Sequence, residues 1–357
     1  MKKTLSVILA VLFVLTLTLY GAGESSAALK VGVSMPTQSL QRWNQDGSNM
    51  KRQLEAAGYE VDLQYAGDNE VPLQVSQLEN MISGGCKALV ISAIDSGALT
   101  TVLGEAKAQG VSVIAYDRLI MNSDAVSYYA TFDNFKVGVL QGAYIRDQLK
   151  LDTEKGPFNI ELFTGDPGDN NIIFFFGGAM SILEPYIKSG KLVVKSGQVA
   201  RDQAATPSWS TEKAQTRMEN LITSSGYGPN GTKLDAVYSS NDSVANGITN
   251  ALVGAGYTAE NFPVLTGQDC DLTSMKNILA GRQSMSIFKD TRALAAQVVK
   301  MVDAILKGGK PEVNDTKTYD NGTGVIPSYL CDPVFCTKDN YKTLLIDSGY
   351  YTENQLR

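Results

Sequence analysis

The 357-residue chain contains no histidine. This excludes Ser-His-Asp and Cys-His catalysis of the usual kind and removes the commonest zinc ligand. Cysteine is scarce, confined to Cys86, Cys270, Cys331 and Cys336, with a single close pair and so no second half for a metal knuckle. No run of lysine and arginine stands out in a chain of net charge −6, which makes nucleic acid a poor partner on electrostatic grounds. The phosphate-cradling pattern GxxxxGK[ST] and the nucleophile motif GxSxG are both missing. Asp269-Cys270-Asp271 is too short a carboxylate pattern to hold calcium. No metal site and no cofactor is expected.

Long apolar runs are confined to the start. Lys2 and Lys3 precede the apolar stretch Leu5–Tyr20, and Ser25-Ser26-Ala27 supplies small residues before Ala28. This is the pattern of a secretory signal peptide, residues 1–27, cut after Ala27. An uncleaved anchor is the alternative, but the stretch contains Ser6, Thr16 and Thr18 and falls short of the roughly 20 residues that span a bilayer. The expected location is the periplasm or the outer face of the cytoplasmic membrane. In an exported protein Cys331 and Cys336, flanking Asp332-Pro333-Val334-Phe335, read as a loop-closing disulfide, with Cys86 and Cys270 as buried single thiols in different lobes.

The remaining chain is too long for one typical core, and it alternates strand and helix patterns throughout. Leu29–Ser34, Glu60–Tyr65, Ala88–Ser92, Val113–Tyr116 and Val126–Thr131 read as strands. Helical patterns run over Asn44–Ala57, Leu73–Ser83, Leu99–Gln109 and Phe135–Leu149, most with a glycine soon after. The series then restarts. Strands Phe158–Phe163, Leu192–Ser196, Ala236–Tyr238 and Val264–Leu265 alternate with helices Ile173–Ile187, Thr211–Ser224 and Val244–Val253. Strand Met285–Phe288 and helix Arg292–Leu306 follow, then a less regular tail.

The expected fold is α/β, with two Rossmann-like lobes on parallel sheets joined by three short crossings near Asp133, Lys289 and Ile326. That division assigns residues 28–133 plus 290–325 to the first lobe and residues 134–289 plus 326–357 to the second.

Ligands bind outside the carboxyl ends of strands in open α/β sheets. Three apolar strands here end in polar residues, at Asp117-Arg118, at Asn241-Asp242 and at Gln268-Asp269. Arg42-Trp43, in the loop expected after the first strand, offers a planar donor fork beside a flat apolar face. Its plainer reading is a surface Arg beside a Trp packing on its own lobe. The other tryptophan, Trp209, precedes a helix and could serve as a staple against it. The loop from Thr164 to Asn171 is explained by turn and cap chemistry except for spare capacity at Asp169 and Asn171. Phe174, Phe175 and Phe176 cannot all face a core, so one of them lines the cleft. Lys289 completes the inventory. Aspartate, asparagine, arginine and lysine with aromatic faces suit a sugar, whose hydroxyls both donate and accept while its C–H faces are apolar.

In this order, Arg42-Trp43, Ile114-Ala115-Tyr116-Asp117-Arg118, Thr131-Phe132-Asp133-Asn134, Asp169-Asn170-Asn171, Ser240-Asn241-Asp242, Thr266-Gly267-Gln268-Asp269 and Phe288-Lys289-Asp290 carry a family likeness. The chain resembles the periplasmic aldose-binding proteins of the ribose/galactose/xylose group, most closely the xylose- and multiple-sugar-binding branch. The resemblance implies a type I periplasmic binding protein, a monomer, that closes on a monosaccharide such as xylose, glucose or galactose and delivers it to the membrane subunits of an ABC importer. It further implies sugar contacts from Arg42, Asp117 and Arg118 in the first lobe. Asp169, Asn171, Trp209, Asn241 and Asp269 match second-lobe contacts, Lys289 a hinge contact, and Phe175 a position held by a ring or an Arg in relatives. Trp43 belongs to the same set.

The four cysteines are a departure from that family. Rival readings are a receptor docking a chemotaxis or sensor-kinase ectodomain, and a glycan-processing enzyme using Asp117, Asp242 and Asp269. A repressor of the same fold is disfavoured by the leader.

Overall fold

The computed structural model describes residues 28–357; the expected leader, residues 1–27, lies outside the described residues. In the first part of the chain, β1 (Lys30–Met35), α1 (Gln41–Ala56), β2 (Glu60–Tyr65), α2 (Val71–Ser83), β3 (Ala88–Ile91), α3 (Thr100–Ala108) and β4 (Ser112–Tyr116) alternate, and β5 (Val126–Phe132) follows. The second series comprises α4 (Asn134–Gln148), β6 (Phe158–Phe163), α5 (Asn171–Lys188), β7 (Leu192–Val193), α6 (Thr211–Ser225), β8 (Ala236–Ser239), α7 (Asp242–Gly254) and β9 (Val264–Leu265). Then come α8 (Leu272–Leu279), β10 (Ser286–Phe288), α9 (Thr291–Leu306), β11 (Ser328–Cys331), β12 (Val334–Cys336) and α10 (Glu353–Leu356).

The first sheet has the order β11-β5-β4-β3-β1-β2, with every pair parallel. Its inner strands β3 and β4 are near-continuous apolar runs because both faces are covered, while edge strand β2 alternates with Glu60, Asp62 and Gln64. Residues of α2 and α3 pack one face with Leu89, Ile91, Val113 and Ala115. Those of α1 and α9 pack the other with Val31, Val33, Ile114 and Tyr116. The second sheet, β7-β6-β8-β9, is parallel too. Its faces meet α6 and α7 on one side and α4 and α5 on the other. β10 and β12 form an antiparallel ribbon beside it, reached through a bridge between Gln268 and Ile287. The chain therefore builds two doubly wound lobes, the type I periplasmic binding protein fold.

The structure moves three sequence-based expectations and adds a helix that the sequence reading did not include. Helix α1 begins at Gln41, so Arg42 and Trp43 sit in its first turn and not in a loop; Leu40, at the N-cap, offers no capping side chain to mark the start. The short helix α8 follows Asp271, whose side chain likewise makes no cap. β11 pairs with β5 in the first sheet, so the third crossing falls at Asp332-Pro333, beyond the expected Ile326. That position also undoes the expected bridge between Cys331 and Cys336. Cys331 ends a strand of the first sheet, whereas Cys336 ends a strand of the second lobe and is buried in that lobe's apolar cluster; all four cysteines are free thiols in this structure.

Candidate ligand-binding cleft

The carboxyl ends of both sheets face one cavity between the lobes, about 370 Å³ free of protein atoms when its solvent-open part is counted. The residues expected to contact the ligand, Arg42, Trp43, Asp117, Arg118, Asp169, Asn171, Phe175, Trp209, Asn241, Asp269 and Lys289, all line it.

From the first lobe, α1 places Arg42 with three carboxylates around it. Its Nε donates to Asp46 at 2.9 Å, Nη2 to Asp117 at 2.6 Å and Nη1 to Asp269 of the opposite lobe at 3.2 Å. Burial works against the Arg42 guanidinium, yet Asp117, Asp46 and Asp269 together hold its pKa well above the ordinary value. Burial also opposes ionisation of Asp117, but Arg42, Lys289 and Arg118 outweigh it and keep this carboxyl below its usual range. Asp46, one helical turn from Arg42, is raised by burial despite that neighbour and also accepts from the Tyr116 hydroxyl. Its oxygens are taken up by Arg42 and Tyr116, so it orients the guanidinium and does not line the cavity.

Asp117 leaves β4 in the left-handed region, with φ of 58°. Its carbonyl is held by the Tyr129 hydroxyl at 2.6 Å, Thr131 Oγ1 at 3.0 Å and Asn171 Nδ2 at 2.8 Å. Arg118 next to it anchors Nη1 on the carbonyls of Ala93 and Ile94. Its Nε lies 2.9 Å from Asp169 Oδ2, an ion pair across the lobes, but the N–H is not aligned for a hydrogen bond. Trp43 lies within cation–π reach of both guanidinium groups, its ring centre 4.7 Å from that of Arg42 and 5.1 Å from that of Arg118.

From the second lobe, Asp169 accepts from Trp209 Nε1 at 3.2 Å, and burial raises its carboxyl against the pull of Arg118. Gly165 lies beneath the Trp209 ring, where an added Cβ would come within 2.0 Å of it. The three adjacent phenylalanines divide as the sequence suggested. Phe175 meets Trp209 edge-on at the cavity, while Phe174 and Phe176 pack against Tyr319 and Tyr238. Asn241 caps α7, its Oδ1 accepting from the Val244 N–H at 3.0 Å, which leaves the amide's donors for the cavity.

At the hinge, the buried ammonium of Lys289 lies 3.0 Å from Asp269 and 3.8 Å from Asp117. Asn171 donates one amide hydrogen to Asp117 O at 2.8 Å and accepts from the Tyr129 hydroxyl, tying α5 to the first sheet and leaving its second amide hydrogen for the cavity it lines. Asp242, adjacent to Asn241, turns away from the cavity to Gln283 and Ser286 in the second-lobe core.

Leu40 and Ser243 also line the cavity without any signal in the sequence, and so does Gln268, which the sequence marks only as the neighbour of Asp269. Gln268 Oε1 is a buried acceptor without a partner, so it suits a ligand hydroxyl. The polar run Thr266–Asp269 was the available signal, but which of two adjacent polar residues faces a cleft depends on backbone twist at the strand end. Among the described residues no group of three or more acidic or cysteine side chains is suited to a metal.

Two doubly wound lobes meeting across an ion-lined cavity define a binding protein that closes on a small polar solute. The chain belongs to the periplasmic binding protein domain family, whose model matches residues 31–310. It is 55% identical over 329 residues to the multiple sugar-binding periplasmic protein SbpA of Azospirillum brasilense, covering 92% of this chain and 91% of that one. It is 34% identical to the D-xylose-binding periplasmic protein of Escherichia coli, covering 96% of each. The crystal structure of an ABC transporter solute-binding protein from Clostridium phytofermentans with bound β-D-glucose superposes with a TM-score of 0.89 at 66% identity, covering 92% of this chain and all of that one.

Proposed function

We propose that this chain is an exported solute-binding protein that captures one aldose, in the class of glucose, xylose and galactose, and delivers it to the membrane subunits of an ABC importer. The observation that carries this is the composition of the cavity. Buried Asp117, Asp269, Arg42, Arg118 and Lys289 converge with the Trp43, Trp209 and Phe175 rings on one small space. Charged groups hydrogen-bond hydroxyls strongly in a desolvated site, and flat rings cover the C–H faces of a pyranose. The relatives' sugar-binding names and the bound glucose of the Clostridium protein support the same reading.

Because both lobes contribute, a sugar has more contacts in the closed arrangement than in an open one, and that difference is what drives closure. No chemistry is assigned to the carboxylates. Arg42, Lys289 and Arg118 hold Asp117 below its usual range, whereas a general acid would need a raised pKa; Asp242, which burial does raise, is turned to Gln283 and Ser286 away from the cavity. Calorimetric titration of the exported chain, unfolded and refolded to strip ligand, with D-glucose, D-xylose, D-galactose, L-arabinose and D-ribose tests the proposal. One-to-one binding of at least one aldose is the expected result; folded protein giving no heat with any of them would overturn it.

A further inference from the structure

The undone Cys331–Cys336 bridge leaves a second pairing in view. Cys270 and Cys336 are both fully buried, in one apolar cluster with Met275, Ile278, Phe288 and Leu345. They flank a single residue of β10. Cys336 stands directly opposite Ser286 in the antiparallel ribbon, and the Cys270 N–H donates to the Ser286 hydroxyl at 3.1 Å. Burial pushes the Cys270 thiol well above its ordinary value, and Cys336 is the neighbouring group that acts on it next. Cys331 packs at the edge of the first lobe's core and Cys86 lies in that core's opposite face.

We propose that Cys270 and Cys336 join in a disulfide that staples the turn carrying Asp269 to the tail strand β12. The turn has reason to be stapled. Asp269 and Cys270 are consecutive non-glycine residues with φ of 100° and 52°, both in the left-handed region. That backbone aims the Asp269 carboxylate at Arg42 and Lys289, so a covalent tie at the next residue holds a ligand-facing group in place. The tail already clamps the same peptide, with the Tyr351 hydroxyl donating to Cys270 O at 3.0 Å.

The bond forms by exchange with a low-molecular-weight disulfide while the thiols are still accessible during folding. The Cys270 thiolate attacks one sulfur of the donor and expels a first thiolate. The Cys336 thiolate then attacks the Cys270 sulfur of the mixed disulfide and expels the second. The two cysteines lose two electrons and two protons, and the donor is reduced to two thiols. An oxidising location outside the cytoplasm, part of the function proposed above, is where such a bond persists.

The test is to refold the exported chain in reduced and oxidised glutathione, quench in acid, denature, alkylate without reductant, and map the peptides by mass. The expected result is alkylation at Cys86 and Cys331 alone, with one cross-linked peptide pair containing Cys270 and Cys336. The Cys331→Ser variant should keep that cross-link, and Cys336→Ser should return Cys270 to the alkylated set. Four alkylated cysteines in protein shown to be folded, or a Cys331–Cys336 cross-link, would overturn the proposal. Sugar titration of the same samples separates the two readings: binding without the cross-link removes only the disulfide, and a cross-link without binding removes only the sugar assignment.

Discussion

Asp269 is the residue on which the cavity's charges converge, since Arg42 of the first lobe and Lys289 of the hinge both lie within ion-pair distance of Oδ1. Truncating it leaves two buried cations short of a partner and removes an acceptor for a sugar hydroxyl. Asp269→Ala should therefore weaken aldose binding by about 2–4 kcal/mol, roughly 30- to 900-fold in Kd. Unchanged affinity in a calorimetric titration would place the ligand elsewhere. At this scale the sequence was most informative, because a polar pair at a strand's carboxyl end has few purposes. The limits were local. Nothing in Leu40-Gln41 announces the helix start that aims Arg42 inward, and nothing in Asn241-Asp242 says that the first faces the cavity and the second the core.

Among the elements, α4 and α5 show how a helix pair positions a site. Gly138 lets the backbones touch, since an added Cβ would lie 2.0 Å from Phe175 O and 2.7 Å from Ala179 N. Gly138→Ala must push α5 away, and α5 carries Asn171 and Phe175. The expected outcome is a loss of about 1–3 kcal/mol in stability together with weaker sugar binding, read by denaturant titration and calorimetry. A variant of full stability and affinity would show that the contact yields without cost. Strand and helix identities were legible here because buried parallel strands are uninterrupted apolar runs bounded by glycine stops. The tail strands β11 and β12 were not, since each is short and the residues that pair with them are far away in sequence.

For the whole molecule, the buried acids set an unusual dependence on pH. Burial and the neighbouring Asp269 raise Asp271 to about 7, against the pull of Arg42 and Lys289. Burial followed by Asp271 and Asp269 raises Asp242 as well. In the unfolded chain both ionise near the usual aspartate value. Between roughly pH 4 and 7 the folded state thus binds more protons than the unfolded one, and its stability falls as pH rises. Asp117 acts oppositely: its lowered pKa contributes stability above the ordinary aspartate range that is lost on further acidification. Melting temperature should therefore decline from about pH 5 to about pH 7, and Asp271→Asn should flatten that decline. A melting temperature that rises over this interval would contradict the burial of these groups.

The late return of the chain to the first lobe has a consequence for how the molecule comes into being. The helix α9 and edge strand β11 that complete the first sheet arrive only at Thr291–Leu306 and Ser328–Cys331, after almost all of the second lobe. The second lobe in turn waits for β12 and Tyr351. A ribosome releasing this chain from its N-terminus finishes the first lobe only at Cys331, shortly before β12 and Tyr351 finish the second. Each lobe therefore stays incomplete until the segment Ser328–Tyr351 has emerged, and the completion of both is tied to that one short stretch of chain.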